Sequence, residues 1–324
     1  MTESSGSSGG ESRSISTRRS RSSLSVALLV ALFLLACCGR PRAASYDGKK
    51  AFAWVERQVA FGPRAPGTAG HDACFEFLEA TMRRYAAAVE VDTFRYFVPR
   101  LEKDVRLFNV RARFAPEAEQ RIVLGAHWDT RPWADQDPYP ARRSEPILGA
   151  NDGASGVAVL LELARMLHEQ QPKVGVDIVF FDGEDLGSAD NEAGWFRGSK
   201  EYVARRSREP KPLFAIVVDM VGKRDLALNW EGNSYQQAGN IVDLVWGRAR
   251  QLNVRSFRSD VRHRVFDDHM PFLEAGIPAI VLIDFAFPEW HTHQDDLDVI
   301  DPASLEDVGR VLHSLVSDPS YLSD

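Results

Sequence analysis

An α/β fold with a doubly wound, mostly parallel central sheet flanked by helices, in a single domain, follows from three features of this sequence. The run 177–185, DIVFFDGED, sets Ile178, Val179, Phe180 and Phe181 side by side with no polar face, as a strand covered on both sides requires. Strand-like and helix-like segments then alternate along the chain with lengths suited to crossover connections. At 324 residues and 44% apolar content the chain has enough material for one large core.

The N-terminus stands apart from this body. Residues 1–23 are rich in Ser and Gly and carry Arg13, Arg18, Arg19 and Arg21, a composition too polar to pack. Residues 24–38, LSVALLVALFLLACC, form an apolar run of fifteen, short for a membrane span and of signal-peptide length. We expect residues 1–45 to be a disordered basic leader plus export signal, and residues 46–324 to be the catalytic domain. The expected location is periplasmic or outer-surface. Leu34, Leu35, Ala36 and Cys37 resemble a lipobox, so lipidation at Cys37, cleavage near Ala43 or Ala44, and retention as a signal anchor all stay open. Beyond residue 50 the chain holds 31 basic and 43 acidic residues, a net charge of −12, which argues against nucleic acid or anionic lipid as a partner. Membrane contact is expected only through the N-terminal lipid or signal. Cys74 is the single cysteine of the body, which leaves neither a disulfide framework nor a thiolate metal cluster.

Phe52, Val55 and Val59 recur at helical spacing in an opening helix over 47–59, and a Pro- and Gly-broken loop then leads into a helix carrying Phe75, Leu78, Met82 and Tyr85. β-formers dominate 89–98, 105–114 and 121–125, giving three strands, the last ending at Ala126 and His127. Residues 131–146 are polar, Pro-bearing and aperiodic, the mark of a functional surface loop. The Gly-rich turn 149–156 opens a helix whose face is Val157, Leu160, Leu161, Ala164 and Leu167. After the strand at 177–181 come a strand over 214–218 ending in Asp219, helices over 241–252 and 271–275, and a strand over 279–283. Asp301 and Pro302 take the cap and first-turn positions of a last helix.

Chemistry appears when the strand exits are compared. His127 and Asp129 follow the strand at 121, Glu184 and Asp185 the strand at 177, Asp219 ends the strand at 214, and His291 lies past the strand at 279. Asp152 opens a helix, where capping is the commoner task of an Asp; the two roles are compatible. An open α/β sheet binds ligands at that edge. A zinc site draws imidazole nitrogen and carboxylate oxygen from several elements and leaves one position open. His71, His168 and His313 read as helix-surface residues, His263 as a loop residue, and His293 as a group behind the ligands.

The segments FGPRAPGTAGH, GAHWDT, GANDGASG, FFDGED, VVDMVG, DDHMPFLEAGIPA and FPEWHTHQDD, in this order, resemble the zinc peptidase family of the leucyl-type aminopeptidases. Within it they are most similar to the glutaminyl-peptide cyclotransferases of bacterial type. The resemblance spans residues 49–321. It implies Glu184 as general base or acid, Asp152, Asp185 and His291 as ligands of a zinc ion, and His127 and Asp219, with Asp152 bridging, as ligands of a second zinc in the aminopeptidases. Cyclotransferases generally use one zinc. Trp290 beside His291 and the acids Asp267 and Asp268 tilt the resemblance to that branch, and the family's substrate pocket maps onto Trp290 and, after an insert, Trp195. Asp185 replaces the Glu of the animal enzymes, and Ala126 stands at one of their two Cys positions.

The leading expectation is a zinc-dependent cyclase acting on the N-terminal segments of peptides or proteins. Glu184 would carry the proton, with Asp219 and Asp267 as its hydrogen-bonding neighbours. An exported metallo-aminopeptidase with two zinc ions is the alternative. A binding domain without catalysis is the third, since fold alone does not fix function.

Overall fold

A computed structural model describes residues 8–12 and 45–322. The apolar run 24–38 and the lipidation candidate Cys37 lie outside the described residues. Residues Ser45–Asp324 form one compact unit. Among the described residues no helix is long and apolar enough to cross a membrane.

Helix α1 (Gly48–Val59) begins where the Asp47 carboxylate accepts the Lys49 and Lys50 N–H groups, and it buries Ala51 and Val55. Helix α2 (Ala69–Tyr85) is capped by Thr68. Strands β1 (Ala88–Val98) and β2 (Lys103–Phe114) make an antiparallel hairpin. Four βα-type units follow. Their strands are β3 (Arg121–His127), β4 (Gly175–Phe181), β5 (Ala215–Asp219) and β8 (Ala279–Ile283). The intervening elements are α3 (Ala154–Glu169), α4 (Arg197–Arg205), β6 (Leu228–Glu231), α5 (Gly232–Gln251), β7 (Phe257–His263) and α6 (Met270–Glu274), and α7 (Pro302–Ser317) closes the chain.

The six-stranded sheet runs β1-β2-β4-β3-β5-β8. β4, β3, β5 and β8 are mutually parallel, and β2 pairs antiparallel with β4. Every residue of β4 is buried. Alternation sends Ile178 and Phe180 into the core shared with α1, α3 and α7, while Val179 and Phe181 meet Tyr202 of α4 and Phe272 of α6 on the other face. Two apolar faces explain the uninterrupted hydrophobic run. The mostly parallel, doubly wound sheet is as expected, with the first hairpin as its antiparallel edge.

Four elements differ from expectation. β6 and β7 pair with each other in a separate two-stranded sheet, and β7 carries Arg258, Ser259, Asp260, Arg262 and His263, too polar to read as a strand. His263 therefore lies on a strand. Helix α4 begins at Arg197 with no side-chain cap, and α5 starts at Gly232, broken at Ala238 (φ −141°, ψ 41°), so that only its second half shows a clean period. His71 is fully buried, not at the surface of α2: its Nε2 lies 2.9 Å from Asp182 Oδ2 and its ring stacks on Trp128 at 4.5 Å.

Glu231 illustrates how the smaller sheet is tied down. Its buried carboxylate accepts the N–H of Asn233 (2.8 Å), Ser234 (2.7 Å) and Val265 (3.0 Å) and the Ser234 hydroxyl (2.8 Å). Burial alone would raise its pKa, but His269 and the backbone donors hold it down at about 2. Glu231→Gln is expected to lower the unfolding free energy by about 1–3 kcal/mol at pH 7, measured by urea denaturation. Because the folded pKa lies below the ordinary 4.5, that contribution is present above pH 4.5 and is lost as the pH falls toward 2. The gap between wild type and variant should close over the same interval.

Candidate metal centre and active site

Parallel pairing delivers the functional side chains. With Ala126 opposite Phe180 and His127 opposite Phe181, β3 and β4 end level, and Asp219 pairs with Ile283 at the ends of β5 and β8. The segments leaving these strands emerge at one edge. His127 closes β3, the turn after β4 carries Glu184 and Asp185, Asp219 closes β5, Asp152 precedes α3, and the segment after β8 carries Trp290 and His291.

Asp152, Asp185 and His291 are buried and each offers one ligand atom, all within 4.8 Å of one another. His291 Nε2 lies 3.4 Å from Asp185 Oδ1 and 3.7 Å from Asp152 Oδ2. His127, Asp152 and Asp219 make a second such group, with His127 Nε2 at 3.1 Å from Asp152 Oδ1 and from Asp219 Oδ1. Asp152 belongs to both. Its Oδ2 and that of Asp185 are buried with no hydrogen-bond partner. Two orphaned carboxylate oxygens in a buried group with an imidazole fit a cation, and one nitrogen with two carboxylates is a donor set that catalytic zinc accepts.

Two further acids hold the ligand-bearing turns. Asp129 accepts the N–H of Glu184 (3.1 Å) and of Asp185 (3.3 Å), so one carboxylate fixes the whole acid pair. Asp295 does the same for Asn151 (2.7 Å) and Asp152 (3.0 Å). Gly183 turns the chain at φ +72°, where a Cβ would come within 2.8 Å of Leu107. Met220 and His291 adopt positive φ without being glycine, a strained backbone beside Asp219 and at the candidate ligand His291.

The electrostatics divide the acids. Desolvation raises Glu184 well above the ordinary carboxylate range; His127 opposes this, and Asp185, Asp268 and Asp267 add to it. Burial and then Asp219 push Asp267 up to about 7, and burial also raises Asp219 against the pull of His127. Asp185 goes the other way. Burial would raise it, but His291 and Arg131 hold it below the usual range. Burial would lower His291, yet Asp185 lifts it to about 9.

Above these groups opens a cavity of about 640 Å³, lined among others by Glu184, Asp152, Asp219, Asp267, Trp195 and Trp290. Trp290 stacks on His291 with ring centroids 3.6 Å apart. The expected hydrogen bonds from Asp219 and Asp267 to Glu184 are not formed: Asp219 turns to His127, and Asp267 accepts the N–H of Asp268. Both line the same cavity as Glu184, and Asp267 raises Glu184 without touching it. His293 pairs with Asp137 at 2.7 Å. Asp129 and Asp295 escaped notice as supports because an Asp that accepts distant backbone N–H groups has no sequence signature.

The profile of the family described as Peptidase family M28 matches residues 109–316. The glutaminyl-peptide cyclotransferase of Gloydius blomhoffii is 27% identical over 289 residues, covering 78% of this chain and 76% of that protein. The glutaminyl cyclase of Bacteroides thetaiotaomicron, solved bound to N-acetylhistamine, superposes with a TM-score of 0.80 at 35% identity, over 86% of this chain and 99% of that one. A Zn-dependent exopeptidase from Parabacteroides distasonis gives a TM-score of 0.80 at 32% identity, over 86% and 100% of the two chains.

Asp129→Ala removes both acceptors of the acid turn and should lower the unfolding free energy by about 2–4 kcal/mol, since each bond is charge-assisted. Urea denaturation of the metal-free protein measures it. A loss below about 1 kcal/mol would show that the turn holds its shape without this carboxylate.

Proposed function

We propose, from the premise that this chain belongs to peptidase family M28, that it is a zinc-dependent glutaminyl-peptide cyclotransferase, converting the N-terminal glutamine of peptides to pyroglutamate with release of ammonia. The observation that carries this reading is a cavity lined by Trp195, Trp290 and Glu184 that reaches Asp152 and His291 of the group Asp152, Asp185 and His291. A planar, uncharged glutamine side chain suits an aromatic wall. We assign one zinc ion to Asp152, Asp185 and His291.

Cyclisation joins the α-nitrogen to the γ-carbonyl carbon, breaks the carbon–nitrogen bond of the side-chain amide, and moves a proton from the α-amine to the departing nitrogen. A zinc ion held by those three side chains supplies Lewis acidity toward the γ-carbonyl oxygen. Glu184 takes the proton from the α-amine and returns it to ammonia, a task that favours a carboxyl whose pKa is raised toward neutrality, the direction in which its surroundings push it. Asp219 and Asp267 line the same cavity, and Asp267, with Asp185 and Asp268, keeps Glu184's proton affinity high. The two tryptophans position the side chain and keep water from the reacting carbonyl.

The second group, His127, Asp152 and Asp219, favours the alternative, an aminopeptidase with two ions clamping a nucleophilic water. Cyclisation consumes no water and has no use for that clamp. Export through the run 24–38, with or without lipidation at Cys37, belongs to this proposal too, as the route to peptide substrates outside the cytoplasm.

Purified protein given Gln-Ala is expected to release ammonia without free amino acid and to leave Leu-Ala intact; leucine release would favour the peptidase. Glu184→Gln should lower turnover by about 10²–10⁴-fold while zinc content by elemental analysis stays that of the wild type. Asp185→Ala should lose the metal.

A further inference from the structure

Arg131 lies in the irregular segment after β3 and is only 2% exposed. Its Nη1 donates to Asp185 Oδ1 at 2.7 Å and to the backbone carbonyls of Asp185 (3.3 Å) and Gly187 (3.2 Å). Nε and Nη2 donate to the two oxygens of Asp135 at 2.9 and 2.6 Å, a bidentate fork. Asp135 Oδ1 in turn lies 3.2 Å from His291 Nδ1, close enough for an ion pair though off the line of an ideal hydrogen bond. The guanidinium also sits 5.1 Å from the ring centroid of Trp133 and 5.0 Å from that of Trp195. One side chain thus reaches one proposed ligand directly, a second through Asp135, and a wall of the cavity.

We propose that Arg131 and Asp135 are a positioning pair that aims Asp185 and His291 at the zinc ion and braces Trp195 against the substrate recess. The inference rests on the zinc cyclase reading above. Arg131 anchors Asp185 through Oδ1, the oxygen 3.4 Å from His291 Nε2, and Oδ2 keeps no hydrogen-bond partner. Asp135 favours a proton on His291 Nδ1, so that the lone pair of Nε2 faces Asp152 and Asp185. The pair carries no net charge, so it acts mainly by orientation. Every nitrogen of the guanidinium is engaged and its faces meet indole rings, a combination that the ammonium of lysine cannot reproduce.

The test uses the full chain as wild type, Asp135→Asn and Arg131→Lys. Zinc affinity is measured by competition with a chelator of known strength, kcat and KM with Gln-Ala, and unfolding of the metal-free protein by urea. Both variants should bind zinc about 10–100-fold more weakly. Arg131→Lys should in addition raise KM by a larger factor than it lowers kcat, because Trp195 loses its brace. Asp135 is 29% exposed, so Asp135→Asn should cost the metal-free protein less stability than Arg131→Lys and test the idea even if Arg131→Lys folds poorly. Zinc affinity within twofold of wild type in Asp135→Asn overturns the proposal, as does a loss of affinity that only tracks a loss of stability. Ammonia release by the wild type is scored separately, so a failed cyclase reading is told apart from a failed positioning pair.

Discussion

Like charges crowded at one end of a sheet are the constraint on which this molecule depends. Asp152, Glu184, Asp185, Asp219, Asp267 and Asp268 converge where four parallel strands end, all of them buried except Glu184, which is half-buried against the cavity. Two carboxylates about 4 Å apart repel by about 4 kcal/mol at an effective dielectric constant of 20, so six cannot all stay ionised there uncompensated. The protein divides the load. Asp267, Asp268 and Glu184 are pushed toward the neutral form, Asp185 is kept ionised by His291 and Arg131, and the orphaned oxygens of Asp152 and Asp185 await a cation. The proposed roles rest on that division: ionised groups to hold a metal ion, and a raised one to move the proton.

Further acids beneath the site serve as acceptors for backbone N–H groups. Asp129 fixes the turn of Glu184 and Asp185, Asp295 fixes the turn of Asp152, and Asp182 accepts the Phe108 N–H while pairing with His71. Each of these turns is thereby tied by a buried carboxylate. Positive φ at Gly183, Met220 and His291 marks where the chain is bent most sharply to bring these groups together. The energy for such bends comes from the buried sheet below, whose strand β4 is covered on both faces.

Much of this was legible in the sequence because the central strands are uniformly apolar and each exits in a residue with metal-binding chemistry. The run 177–181, the strand exits at His127, Glu184, Asp185, Asp219 and His291, and the helix start at Asp152 needed only periodicity and position. What escaped notice had no local signal. Strand β7 is polar because it lies in a two-stranded sheet where residues 258–262 are all exposed, on both faces, and helix α5 hides its first half behind the break at Ala238. His71 looked like a surface residue of an amphipathic helix, and only tertiary packing against Asp182 and Trp128 made it internal. The loop 131–146 read as functional but gave no mechanism; its contribution, Arg131 and Asp135 behind the ligands, depends on contacts with residues far along the chain.

The claim beneath the whole account is that the buried acids at this edge are organised around a cation. Anomalous diffraction at the zinc absorption edge, from crystals of the zinc-loaded protein, addresses it most directly. The account predicts a peak in contact with the side chains of Asp152, Asp185 and His291. An ion bound elsewhere, with those three side chains free of it, would contradict the account.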